Sequence, residues 1–149
     1  MDIDYFKQAN DCHGHLHGDQ VLVFLTMKLE ELSSSVAGSH CARFGGDEFA
    51  LLLLNVSPQN ATALAEELRA SFCAYEFQAE SRSVSLSIGI ASLQSAHDLP
   101  LEQLILHADR ALYRAKLLGR NRVEVQSVSA AATDDSNALN MPMEFQHTA

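Results

Sequence analysis

The stretch "CARFGGDEFALLL", residues 41–53, decides the reading of this chain. Two apolar runs flank Gly45-Gly46, and two carboxylates, Asp47 and Glu48, follow the glycines at once. The pattern predicts a β-hairpin with a two-residue Gly-Gly turn, because glycine adopts positive φ without steric cost. One strand covers residues 41–44. The other, residues 48–54, is nearly continuously apolar, as expected of a strand lying centrally in a sheet. One solvating residue would suffice at a hairpin tip, so the paired acids need a reason.

Outward from the hairpin, the pattern predicts a short strand end at "DID" running into a turn, then a helix over residues 19–34. Asp19 is its N-cap after Gly18, and Leu22, Leu25, Leu29 and Leu32 form its stripe. Ser57-Pro58 opens a second helix with Ser as N-cap and Pro at the first position, burying Leu64, Leu68 and Phe72. Residues 83–92 alternate Val84, Leu86, Ile88 and Ile90 with small residues, the signature of a half-buried strand. A third helix spans residues 101–118, with Leu104, Ile105, Ala108, Ala111, Leu112 and Ala115 inward and Gly119 as its stop. A short strand follows at 122–126. From residue 127 the composition turns to Ser, Ala, Asn and Asp without periodicity, which predicts a disordered tail over 127–149. The order predicts an α/β (α+β) sandwich, a mixed central sheet flanked by helices, in one domain over residues 1–126.

The formal charge of −9 over 149 residues excludes a basic nucleic-acid surface, while a nucleotide remains compatible if local cations and a metal offset repulsion. Cys12, Cys41 and Cys73 form no CxxC pair, so neither a disulfide framework nor a zinc ribbon is indicated. The sequence has no signal peptide and no apolar run of about 18 residues. It therefore predicts a cytoplasmic chain without direct membrane contact.

If the hairpin lies beside "DID", then Asp2, Asp4, Asp47 and Glu48 converge at one sheet edge. Like charges that close repel unless a cation joins them, and hard oxygen donors suit magnesium or manganese. The competing reading is that hairpin acids are solvated turn residues. Lys116 and Arg120, with Arg114 and Arg122, gather near the end of the third helix. They fit phosphate binding or simple complementation of the helix dipole. His13, His15 and His17 alternate through a Gly-containing loop that gives no reason for their rings to converge on zinc. Asn10 and Asp19 fit either a polar ligand edge or ordinary turn and cap positions.

Four ordered segments, "DIDYFKQANDCHGHLHGDQVL", "ARFGGDEFALLL", "VSLSIGIA" and "ADRALYRAKLLGRNRV", resemble the GGDEF domains, the diguanylate cyclases, from Asp2 to about Val125. The resemblance implies a palm-like nucleotidyl cyclase fold and the condensation of two GTP into cyclic di-GMP. It implies that Asp2, the Ile3 carbonyl and Asp47 ligate two Mg2+ (or Mn2+) ions per GTP site. Asp47 or Glu48 would deprotonate the 3′-hydroxyl. Phe6 and Lys7 would meet phosphate through their amides, and the Lys7 side chain would stabilise the transition state. Gly45 and Gly46 would bring the backbone close to GTP, and Asn10 and Asp19 would read guanine. His15 would match the family's loop histidine, and Lys116 and Arg120 its phosphate-binding pair. Two domains facing each other as a homodimer, governed by an upstream sensory domain in a longer parent, would complete the enzyme.

Two departures accompany the resemblance. Val36-Ala37-Gly38-Ser39 stands where the family's Arg-x-x-Asp product site would be, so inhibition through that site is not expected. The family's leading helix, Asn-Arg turn and most of its first strand precede "DID", whereas here Met1 does. The first strand is thus expected to be largely missing, as in a piece of a longer protein. An inactive fragment and a GTP-binding regulatory module without turnover are the alternative readings.

Overall fold

The computed structural model describes residues 1–75, 84–93 and 99–128. Of the tail expected over 127–149, residues 129–149 lie outside them, as does residue 83 of the expected strand, whereas Ser127 belongs to the last strand and not to a tail. The elements, in chain order, are β1 (Asp2–Asp4), α1 (Phe6–His13), α2 (His15–Ser35), β2 (His40–Arg43), β3 (Phe49–Leu52), α3 (Pro58–Ala74), β4 (Ser85–Ser92), α4 (Leu101–Leu117) and β5 (Val123–Ser127).

The architecture is the expected mixed sheet flanked by helices. β1 pairs antiparallel with β4, and β4 pairs parallel with β5 through the α4 crossover. β2 and β3 form the antiparallel hairpin. It joins β1 through an Asp2–Glu48 bridge, with Ile3 N–H donating to Asp47 O at 3.3 Å and Phe49 N–H to Met1 O at 3.0 Å. The spatial order is therefore β5-β4-β1-β3-β2, with the three-residue β1 at its centre.

Alternation in these strands separates two chemistries. Ile3, Leu86, Ile88 and Phe49 point into a core with Val21, Leu25 and Leu29 of α2 and Leu68 and Phe72 of α3. The opposite face carries Asp2 across from Ser87 and Asp4 across from Ser85. Further along β4 that face is closed by α4, which approaches so tightly that a Cβ on Gly89 would strike the Ala108 carbonyl and the Leu112 amide. At the acidic end the same face lines a cleft.

Several local expectations need correction. Gly45-Gly46 is no two-residue turn: Arg43 pairs with Phe49, leaving a five-residue loop, and neither glycine has positive φ. The segment after "DID" is a helix, α1, rather than a turn. Asp19 is not a cap, because α2 begins at His15 behind Gly14, whose φ of 83° breaks the chain direction. His13, His15 and His17 consequently sit on helices. Ile105 is 43% exposed on α4, not inward. The start of α3 conforms, with Ser57 Oγ accepting from Asn60 N–H at 3.2 Å and Pro58 at the first position.

Substituting Gly89→Ala forces a methyl into backbone atoms that cannot rotate away. It should cost about 1–3 kcal/mol or more in chemical denaturation, the usual range for overpacking. Gly46→Ala, where a Cβ meets nothing within 4 Å, should leave the midpoint close to that of the parent.

Candidate functional site

The cleft at the acidic end of the sheet has a volume of about 370 Å³ and is lined by Asp2, Ile3, Asp4, Asp47, Lys116 and Arg120 together with residues 5–8. β1 brings Asp2, the hairpin loop brings Asp47, the last turn of α4 brings Lys116, and the turn after α4 brings Arg120. The first turn of α1 supplies backbone amides. Ala9 N–H is bonded to Tyr5 O at 3.0 Å, so the amides of Phe6, Lys7 and Gln8 precede the first intrahelical bond and carry the positive end of the helix dipole.

The two β1 carboxylates have different environments. Asp4, 1% exposed, accepts from Ser85 Oγ at 2.6 Å, Ser87 Oγ at 2.7 Å and the Asn121 amide at 3.1 Å. These bonds occupy it and tie β1 to β4 and to the turn after α4. Asp2 is paired with Lys116 Nζ at 3.0 Å. Burial pushes its carboxyl above the usual range, the Lys116 bond and charge oppose this, and the neighbouring Asp47 and Asp4 charges add to it. A buried carboxylate beside a second one is better satisfied by a further cation. Asp2, the Ile3 carbonyl and Asp47 are all hard oxygen donors, so the residues fit a magnesium-class ion.

Of the expected site residues, the fold brings together Asp2, Ile3, Phe6, Lys7, Asp47, Lys116 and Arg120. Glu48 does not line the cleft; its carboxylate lies back over Gly45. Gly45 and Gly46 form the loop behind Asp47. Asn10 sits between α1 and α2, its buried Oδ1 without a hydrogen-bond partner and packed so closely on Gly18 that a Cβ there would collide with it. His15 and Asp19 are exposed on the first turns of α2. Arg114 leaves the expected cationic group, since it donates to Gln126 Oε1 at 2.9 Å and to Val125 O at 3.1 Å on β5. Arg122 does not line the cleft either and pairs with Glu124 at 3.8 Å.

The residue reading missed Arg43. Its Nε donates to Gly45 O at 3.0 Å and its Nη2 to Gly46 O at 2.6 Å, so one guanidinium clasps both loop carbonyls behind Asp47. Lysine has no such fork. The placement of Arg43 two residues before the glycines was the available signal.

Asp2 yields a pH test. Its folded pKa lies above its ordinary 3.8, so between those values the folded chain holds a proton that the unfolded chain releases. Stability from this group is therefore lost as pH rises through that window. The stability of the parent minus that of Asp2→Asn, measured by urea titration, should fall as pH climbs from below 3.8 and then level off.

A family model described as diguanylate cyclase, GGDEF domain, matches residues 1–122. Diguanylate cyclase DgcP of Pseudomonas aeruginosa is 40% identical over 127 residues, covering 84% of this chain and 18% of that protein. A diguanylate cyclase of Vibrio cholerae is 40% identical over 124 residues, covering 82% of this chain and 37% of that protein. The chain thus spans well under half the length of these relatives. Among solved structures, the active GGEEF domain of a Vibrio cholerae diguanylate cyclase superposes with a TM-score of 0.76 at 37% identity, covering 86% of this chain and 80% of that one. The GGDEF domain of Caulobacter crescentus DgcB, in complex with c-di-GMP, gives a TM-score of 0.75 at 29% identity, covering 83% and 73%.

Proposed function

This chain belongs to the diguanylate cyclase GGDEF domain family, and on that premise we propose that it condenses two GTP into cyclic di-GMP. The observation that carries this reading is the convergence of Asp2, Asp47, the α1 amides, Lys116 and Arg120 on one cleft. It gathers oxygen donors, helix N-terminal amides and cations within one space, the groups a metal–triphosphate ligand requires.

GGDEF cyclases depend on a divalent metal, and Asp2, the Ile3 carbonyl and Asp47 would hold it here as Mg2+ or Mn2+, two ions per GTP. Bound there, the metal would supply charge stabilisation at the attacking and leaving oxygens. The amides of Phe6 and Lys7 would bind phosphate oxygens, and the Lys7 ammonium would stabilise charge as it develops. Lys116, paired with Asp2, would exchange that carboxylate for phosphate, joined by Arg120. Asn10 and Asp19 would read the guanine edge, as the family resemblance implies, with His15 completing the base end. Asp47 or Glu48 would take the proton from the 3′-hydroxyl. The 3′-oxygen then bonds to the α-phosphorus of the second GTP while the bond to pyrophosphate breaks. Two such steps yield one cyclic di-GMP and two pyrophosphates.

One domain offers one nucleotide site, so two copies must face each other, and a C₂ pair meets this requirement because each half presents the same groups. An upstream sensory domain in a longer parent would set the encounter. No helix among the described residues is long and apolar enough to cross a membrane, in keeping with a cytoplasmic site of action. With Val36-Ala37-Gly38-Ser39 at the product-site position, c-di-GMP would not inhibit through that stretch.

Incubating the purified chain with GTP and Mg2+, with products resolved by mass, tests the proposal. Cyclic di-GMP and pyrophosphate should accumulate, and Asp47→Ala should lower the rate by at least about a hundredfold, in line with loss of a charge-stabilising group. GTP binding without either product would establish a binding module instead.

A further inference from the structure

Tyr5 is unexplained by the fold. It is 52% exposed, so it contributes little to the core. It stands at the N-cap of α1 without making a side-chain cap bond, and its φ of 60° is unusual for a bulky residue. What its ring does meet is Arg120, whose guanidinium carbon lies 4.9 Å from the ring centroid. We propose that Tyr5 is a positioning residue that holds the Arg120 guanidinium pre-aimed at the phosphate end of the cleft. This rests on the reading that the cleft takes a nucleotide triphosphate.

The surroundings of Arg120 support the assignment. Arg120 and Asn121 follow α4 with φ of 63° and 47°, two consecutive left-handed positions. Such a turn persists only where it is anchored. Arg120 N–H is bonded to Ala115 O at 2.9 Å, the Asn121 amide to Asp4, and Asn121 Oδ1 to Arg69 Nη1 at 2.8 Å. The backbone of Arg120 is therefore fixed, and its long side chain is the remaining freedom. Asp4 Oδ1 stands 3.9 Å from Arg120 Nε, close enough to attract the guanidinium yet beyond hydrogen-bond distance. The aromatic face supplies the other side. An arginine stacked on a ring keeps its N–H edge for bidentate phosphate contact, and the entropy of ordering it is spent before the ligand arrives.

The test compares Tyr5→Phe, which keeps the ring, with Tyr5→Asn, which suits the left-handed backbone but has no ring. GTP and inorganic triphosphate binding are measured by calorimetry in Mg2+ buffer, alongside turnover and thermal melting. Tyr5→Phe should behave as the parent. Tyr5→Asn should melt with the parent, bind both ligands about three- to tenfold more weakly, and raise KM with kcat nearly unchanged. In an Arg120→Met background the same Tyr5→Asn change should have no further effect, because the two act as a unit. Unchanged triphosphate binding by Tyr5→Asn, or an equal loss in the Arg120→Met background, would overturn the assignment while leaving GTP binding by the parent intact. A parent chain that binds neither ligand would remove the nucleotide reading itself and this inference with it.

Discussion

The structure depends on a three-residue strand whose alternating side chains serve opposite masters. Ile3 fills the core between α2 and β4, while Asp2 and Asp4 emerge on the other face. Because β1 lies at the centre of the sheet, a one-residue register slip would place both carboxylates in the core and Ile3 in the cleft. Hydrogen bonds from Ser85 and Ser87 to Asp4 fix that register from the β4 side, and the Asp2–Glu48 bridge fixes it from the hairpin side. One interaction set therefore locates the acidic site and holds the sheet together.

The same economy runs through the cations. Asp4 reaches the Asn121 amide and so positions the turn that carries Arg120, while Asp2 pairs directly with Lys116. The cleft thus holds acidic and basic groups side by side, with Lys116 of α4 on Asp2 and Arg120 beside Asp4. Burial raises the proton affinity of Asp2, the usual cost of holding a carboxylate ready for a cation in a low-dielectric site. Arg43 adds a comparable constraint behind Asp47, binding the loop through its carbonyls rather than through its charges.

Much of this was legible in the sequence. Helical stripes such as Leu22–Leu25–Leu29, the Ser57-Pro58 start, and the alternation through Val84 and Ile88 follow directly from period and capping. The convergence of Asp2 and Asp47 followed from placing the hairpin beside "DID". Other features were hidden because they depend on tertiary partners. Tyr5, the N-cap of α1, is left-handed and makes no side-chain cap bond, so nothing announced the helix and the segment read as a turn. Asp19 looked like a cap only because Gly14, four residues earlier than Gly18, breaks the helices instead. Ser85 and Ser87 read as small fillers, although they satisfy Asp4. Arg114 and Arg120 are six residues apart and alike in chemistry. Only the paired positive-φ turn after α4 decides which of them faces the cleft.

Whether this cleft receives a metal–GTP complex, as we propose, is decided by a crystal structure of the chain with Mg2+ and a non-hydrolysable GTP analogue. The triphosphate should lie across the Phe6 and Lys7 amides, with the metal on Asp2 and Asp47 and Lys116 moved from Asp2 onto phosphate. A nucleotide bound elsewhere, or one bound with the Asp2–Lys116 pair intact and no metal between the carboxylates, would contradict the proposal.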